Sequence, residues 1–183
     1  MSDQALATIG TGLGEPARWR RLLAHLASTP LSSWRRFPAK VLASIGAAIE
    51  MAEAGHTGEI RFVVEANMPW PYLWRNASLR TRALDLFGQL GVWDTEHNNG
   101  VLIYLGLADR GVEIIADRGI SKYVPSDAWK EICDTLKTHY RAEDYEAGAI
   151  AAVRAVGALL QSHFPLAPGE IRRNELPDRP LAI

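Results

Sequence analysis

Two apolar runs of strand length, Val101 to Leu107 (VLIYLGL) and Val112 to Ala116 (VEIIA), are separated only by Ala108-Asp109-Arg110-Gly111. Nothing else in the chain restricts its fold as tightly. A short glycine-bearing connection between two β-branched runs predicts a β-hairpin, and near-continuous apolarity predicts strands covered on both faces. Upstream, Glu59 to Ala66 (EIRFVVEA) alternates Ile60, Phe62 and Val64 with Arg61, Val63 and Glu65, the signature of a further strand. Asn67 to Tyr72 (NMPWPY) is expected to end it as a loop, because two prolines remove backbone donors and fix φ. Asn76 to Leu90 then aligns Leu79, Ala83, Leu86, Phe87 and Leu90 on one helical face, with Gly91 after the end. A strand, a helix and a strand in that order leave room for a parallel crossover, so the sheet is expected to be mixed.

Further helices are expected around this sheet. Pro38 to Ala54 places Leu42, Ile45, Ile49 and Ala52 on one face with Gly55 as its stop. After Pro125 and Ser126, Trp129, Ile132, Cys133, Leu136 and Tyr140 share a face. Asp144 is the expected N-cap of a last helix carrying Tyr145, Ala149, Val153, Val156, Leu160 and Phe164. The fold class this predicts is an α/β/α sandwich, a small mixed sheet flanked by helices on both faces.

Three segments follow: a basic helical N-terminal extension over residues 1–38, an α/β domain over 39–164 and a proline-rich tail over 165–183. Met1 to Gly14 is small, polar and glycine-rich and reads as a mobile leader. From Glu15, with Pro16 as a first helical residue, Trp19, Leu22, Leu23 and Leu26 form an apolar side opposite Arg18, Arg20 and Arg21. Arg35, Arg36 and Lys40 make the extension locally basic. The tail carries Pro165, Pro168, Pro177 and Pro180 and is expected to be an extended strap or a disordered end.

Lys+Arg of 20 against Asp+Glu of 21 argues against a dedicated nucleic-acid binder, and no nucleic acid is expected as a partner. A single cysteine, Cys133, forbids an internal disulfide, and the absence of Cys-x-x-Cys and His-Glu-x-x-His removes thiolate zinc sites and redox pairs. On the apolar face of its helix, Cys133 reads as a packing residue. No export signal or transmembrane segment is legible, so a cytoplasmic location is expected. Gly10-Thr11-Gly12-Leu13-Gly14 lacks a preceding strand and the dinucleotide spacing, and no catalytic triad is legible.

Oxygen ligands gather in Gly91 to Gly100 (GVWDTEHNNG). The antiparallel hairpin places Asn99 and Gly100 beside Asp117 and Arg118, so Asp94, Glu96, Asn98, Asn99 and Asp117 can converge on one rim of the sheet as ligands for a hard divalent cation, Ca²⁺ or Mg²⁺. Arg118 and His97 stand near as contacts for a substrate or anion. The competing reading makes Asn98-Asn99-Gly100 a positive-φ turn and Asp94-Thr95 an Asx turn. Glu65, at the opposite rim, reads either as a partly buried general base or, by preference, as a solvated strand end. Asp109 and Arg110 read as ordinary hairpin residues. Trp70 and Trp74, beside Pro69, Pro71 and Tyr72, form an aromatic loop suited to a partner surface or to closing the core. Of the histidines only His97 lies among polar loop residues; His25, His56, His139 and His163 read as helix-face or helix-end residues.

The run TGEIRFVVE, the Ala83 to Phe87 helix, LGVWDTEHNNGVLIYLGLADRGVEIIADRGI and the later YRAEDYEAG resemble the TPM domain family, named partly after a thylakoid lumen protein of photosystem II repair. The similarity covers about residues 39 to 164 and is most specific at NNGVLI, at the Asp-Arg turn and at Asp117-Arg118-Gly119. It implies an α/β sandwich, divalent cation binding, weak phosphatase activity as in plant relatives, and accessory roles at membrane complexes. Carried over by motif, it makes Asn98, Asn99 and Asp117 the cation candidates, with Glu96 and Asp94 as local additions. The expected function is a cation-binding accessory or interaction domain with a protein partner, a membrane-associated complex included, whose basic N-terminal helix can meet acidic lipid. The alternative is a metal-assisted phosphatase-like hydrolase, in which an ion on Glu96, Asn99 and Asp117 activates water and Arg118 holds the phosphate. A third reading leaves the rim empty and assigns partner capture to the aromatic loop and tail.

Overall fold

In the computed structural model, which describes residues 7–9, 18–27 and 35–183, the chain runs β1 (Ala7–Ile9), α1 (Arg18–Ala27), α2 (Ala39–Glu53), β2 (Ile60–Glu65), α3 (Trp70–Trp74), α4 (Leu79–Gln89), β3 (Val101–Gly106), β4 (Gly111–Ala116), α5 (Arg118–Ser121), α6 (Ser126–Arg141), α7 (Tyr145–His163) and β5 (Leu181–Ala182). The expected hairpin forms: β3 and β4 pair antiparallel from Val101 opposite Ala116 to Gly106 opposite Gly111. The crossover is parallel, with Ile60 beside Val101 and Glu65 beside Gly106. The sheet order is β1-β4-β3-β2-β5, and it is mixed.

The alternation of each strand is spent on two cores. Ile60, Phe62, Val64, Val101, Ile103, Leu105, Val112 and Ile114 face α2, α6 and α7. Val63, Leu102, Tyr104 and Ile115 face the other way, onto α4. Burying all six residues of β2, β3 and β4 requires helices on both faces, and the chain supplies them. The α/β/α sandwich read from periodicity is the observed architecture. Among the described residues no helix is long and apolar enough to cross a membrane.

The segments outside the central strands differ from expectation in three places, and the tail takes one of its two expected forms. Ala7–Ile9, within the expected leader, is a strand paired antiparallel with Ile114–Ala116; the outer edge of β4 is a row of backbone donors and acceptors that a short strand satisfies whatever its side chains. Residues 1–6 and 10–17 lie outside the described residues, as does the proposed helix start at Glu15 and Pro16. The tail is a strap with an ordered end, not a loose terminus: β5 extends the sheet beside β2, and Ile183 exchanges backbone hydrogen bonds of 2.9 and 2.7 Å with Val64 and Ala66. NMPWPY is not simply a loop, since Trp70–Trp74 forms a helical turn with Pro71 in its first turn, where a missing N–H costs nothing. Finally, α1 does not bury its leucine side. Leu22 packs inward, but Leu23 and Leu26 are exposed, and the inward neighbours of Leu22 are the polar Arg21 and His25.

Candidate functional site

The loop between α4 and β3 meets the β4–α5 junction at the rim the hairpin register predicted. Asp117 is the N-cap of α5: its Oδ1 accepts the Arg118 N–H at 2.6 Å. Its Oδ2 is buried and has no hydrogen-bond partner among the described residues. Burial pushes the Asp117 carboxyl above the ordinary aspartate range, against the opposing pull of the Arg118 N–H and guanidinium. Asn98 adopts the positive φ of the turn reading, 52°. Its backbone carbonyl accepts the Gly119 N–H at 2.7 Å and its side-chain Oδ1 accepts from Arg118 Nε at 3.2 Å. The approach is so close that a Cβ on Gly119 would stand 2.3 Å from the Asn98 carbonyl oxygen and 2.4 Å from that of His97.

Asn99 is fully buried and its side chain is committed to the loop. Thr95 Oγ1 accepts the Asn99 N–H at 3.1 Å and donates to Asn99 Oδ1 at 3.3 Å, while Asn99 Nδ2 donates to Thr57 Oγ1 at 3.1 Å. Asp94, Glu96 and His97 are exposed on the outer side of the loop, and the Glu96 N–H donates to the Glu175 carboxylate of the strap at 3.1 Å. The structure therefore brings Asn98, Asn99, Asp117 and Arg118 together and leaves Asp94, Glu96 and His97 at the solvent edge. Among the described residues no three Asp, Glu, His or Cys side chains are grouped to hold a metal ion. A hard cation here would rest on the orphaned Asp117 Oδ2 and on neutral amide or carbonyl oxygens, a donor set suited to Ca²⁺ or Mg²⁺ and to no softer ion.

The opposite rim holds polar residues that local sequence reading missed. Glu65 is not a solvated strand end: it is 3% exposed, Arg82 from α4 donates to it through Nε at 3.1 Å and Nη2 at 2.7 Å, and the Tyr104 hydroxyl donates to Oε2 at 2.6 Å. Both carboxylate oxygens are engaged, which leaves no free lone pair poised for proton abstraction. Burial and the neighbouring Glu65 charge hold the Tyr104 hydroxyl well above its ordinary range, so it stays a donor. Asp109 is likewise no ordinary turn residue. Arg21 of α1 grips it at 2.8 and 3.1 Å, and His25 Nε2 lies 3.3 Å from Oδ2 while His25 Nδ1 accepts the Met68 N–H. Burial opposes ionisation of Asp109, but His25 and Arg21 outweigh it and its pKa falls below the usual value. Arg21 belongs to the polar side of α1 and His25 reads as a helix-face residue, so no local sequence signal marks this clamp.

A third buried acidic group lies under the strap. Arg172 reaches the Glu53 carboxylate and stands 3.2 Å from Glu59, whose oxygens also accept the Glu175 and Leu176 N–H groups. Burial and then the charge of Glu59 push Glu53 up to about 9, and burial raises Glu59 too. His56, buried beside them just past the end of α2 with Nδ1 accepting the Gly58 N–H, falls to about 4, so at neutral pH this helix-end residue is an uncharged acceptor. Cys133 is buried and its thiol is pushed up to about 12 by burial, which suits packing and not nucleophilic attack. Trp70 and Trp74 are exposed with ring centroids 6.2 Å apart.

Comparison with known proteins adds two findings. A family model described as TPM domain matches residues 37–159. The NMR structure of BA42 protein from the psychrophilic bacterium Bizionia argentinensis is similar, with a TM-score of 0.68 and 28% sequence identity over 79% of this chain and 93% of that one. No curated protein matches the chain.

Proposed function

Because this chain belongs to the TPM domain family, we propose that it acts as a divalent-cation-binding accessory and interaction domain, with the cation taken at the rim formed by residues 91–100 and Asp117. One observation carries this reading. Asp117 Oδ2 is a buried carboxylate oxygen without a partner among the described residues, and an unpaired buried anion is expensive unless something positive meets it. Asp117 would supply the formal charge, Asn98 and Asn99 the neutral oxygens closest in the chain, and Asp94 and Glu96 additional carboxylates from the exposed side. A bound cation supplies positive charge that locks the loop against the β4–α5 junction. Arg118, tied to Asn98, and the exposed His97 then border the rim as contacts for an anionic group on a protein partner. Since burial raises the Asp117 pKa, uptake of a cation releases a proton and strengthens as pH rises.

The test is a calorimetric titration of chelator-treated protein with Ca²⁺, Mg²⁺ and Mn²⁺. Asp117→Asn keeps an oxygen to cap Arg118 while deleting the charge, so it separates ligation from folding. Saturable one-site binding in the wild type, lost in Asp117→Asn and strengthened as pH rises from the ordinary aspartate range, supports the proposal. Absence of binding at millimolar ion, or binding unchanged in the variant, sinks it.

A further inference from the structure

The strap is held at its middle by one buried carboxylate. Glu59 accepts the Glu175 N–H at 3.3 Å and the Leu176 N–H at 3.2 Å through its two oxygens, and Arg172 joins the same carboxylate to Glu53. Leu176 is buried in the core on the α4 side, and Arg61 of β2 donates to the Pro177 and Arg179 carbonyls beyond it. The Glu175 side chain reaches a different element. Its carboxylate accepts the Glu96 N–H, at 3.1 and 3.3 Å to the two oxygens, inside the 91–100 loop.

Strap and loop also meet through a second route. The Glu59 backbone carbonyl accepts the Val101 N–H at 2.8 Å, where the loop enters β3, and Thr57 accepts from Asn99 Nδ2 at 3.1 Å. Gly58 between them has no room for a side chain: a Cβ would stand 3.2 Å from the Asn99 carbonyl oxygen and 2.5 Å from a Leu160 methyl. The segment that seats the strap is thus packed directly against the loop, and a close-packed segment passes displacement from one side to the other.

The consequence falls on the loop's freedom. Thr95 ties down Asn99 through the Asn99 N–H and Oδ1, and Glu175 fixes the next peptide at the Glu96 N–H. A loop held in place before binding has less conformational entropy to lose around a ligand. Glu175 also sets a negative charge against a loop whose Asp94 and Glu96 are exposed, and a cation relieves the repulsion among them. Both effects have the same sign.

We propose that the strap regulates the rim: a strap seated through Glu175 and a cation held at the rim favour each other. This rests on the cation reading of the rim. Linkage makes the effect reciprocal, so the factor by which a seated strap tightens the ion equals the factor by which the ion holds the strap down.

The test is amide hydrogen exchange on the chelator-treated full chain, without ion and with saturating Ca²⁺ or Mg²⁺, alongside calorimetry of the same samples. The Leu176 N–H, seated on Glu59, reports strap opening, and the Ile103 N–H at the centre of the sheet reports global opening. The ion is expected to slow exchange at Leu176 roughly three- to ten-fold, the worth of one hydrogen bond, beyond any change at Ile103. Glu175→Ala, given enough ion to saturate it, loses that slowing and binds the ion more weakly by at least the same factor. Ile171→Ala, at a strap side chain that is 88% exposed, keeps both. Absence of saturable binding in the wild type removes the rim reading and the linkage with it. Binding that leaves Leu176 exchange unchanged, or slowing that persists in Glu175→Ala, overturns the linkage alone and leaves the rim reading standing. Complete loss of binding in Glu175→Ala also overturns it, since Glu175 would then be a ligand.

Discussion

Glu65→Gln isolates the most deeply buried charge pair of the fold. The carboxylate is 3% and Arg82 is 7% exposed, and removing the negative charge strands a guanidinium whose remaining neighbours are the Tyr72 hydroxyl at 3.5 Å and the Tyr72 ring at 5.0 Å. Breaking one partner of a buried pair costs about 3–5 kcal/mol. Gln keeps the shape and one acceptor oxygen, which places the expected loss near the lower end, about 3 kcal/mol, a third or so of the stability of an ordinary domain. Glu65→Gln combined with Arg82→Met removes both charges and should recover most of that loss, because a buried pair replaced by apolar groups of similar volume is often neutral. Tyr104→Phe, which deletes only the 2.6 Å hydrogen bond, should cost about 1–2 kcal/mol. Urea unfolding followed by far-ultraviolet circular dichroism measures these three variants, Arg82→Met alone and the wild type. A loss below about 1 kcal/mol for Glu65→Gln, or a double variant whose loss equals the sum of the singles, would refute the coupling argument.

Other perturbations test the remaining features. Glu113, with Oε2 buried and unpartnered among the described residues, is pushed up to about 7 by burial; the folded state holds its proton more tightly, so its contribution to stability is complete below about 4.5 and lost as pH rises through 7. Thermal melts of Glu113→Gln should accordingly show a flatter pH dependence over that window than the wild type, and parallel curves would show that Glu113 does not titrate there. Asp109 has the opposite sign: its pKa is depressed, so the stability it contributes is lost as pH falls below the ordinary aspartate range. Asp109→Asn should therefore flatten the acid limb of the same profile. Arg172→Met should destabilise more at pH 10 than at pH 7, since Glu53, pushed up to about 9, needs the cation once it ionises; equal urea midpoint shifts at the two values would contradict this. Gly119→Ala drives a methyl against two carbonyl oxygens and should lower stability by about 1–3 kcal/mol, whereas a wild-type melting temperature would mean the loop moves freely away from α5.

The central architecture was legible in the sequence because it is local. Alternation in EIRFVVE, the paired apolar runs around Ala108 to Gly111, and helical spacing in residues 76–90 and 126–164 each report which face of an element must leave water, and two buried faces per strand demand helices on both sides. The rim of Asn99 and Asp117 followed from the register of one hairpin. The orientation of its donors did not, because the Asn99 amide is turned by Thr95 and by Thr57, the latter 42 residues away, and no spacing rule encodes such a partner.

What only the tertiary structure decided is where isolated charges go. Asp109, Glu65 and Arg110 look like turn and strand-end residues until α1, α4 and α6 arrive. Likewise the strap's Arg172 gains meaning only where the fold has buried Glu53 and Glu59 together. Hydrophobic periodicity is repeated over many residues and so survives in one dimension. A charge pair is a single long-range coincidence whose energy depends on burial, and burial exists only once the chain has closed around it.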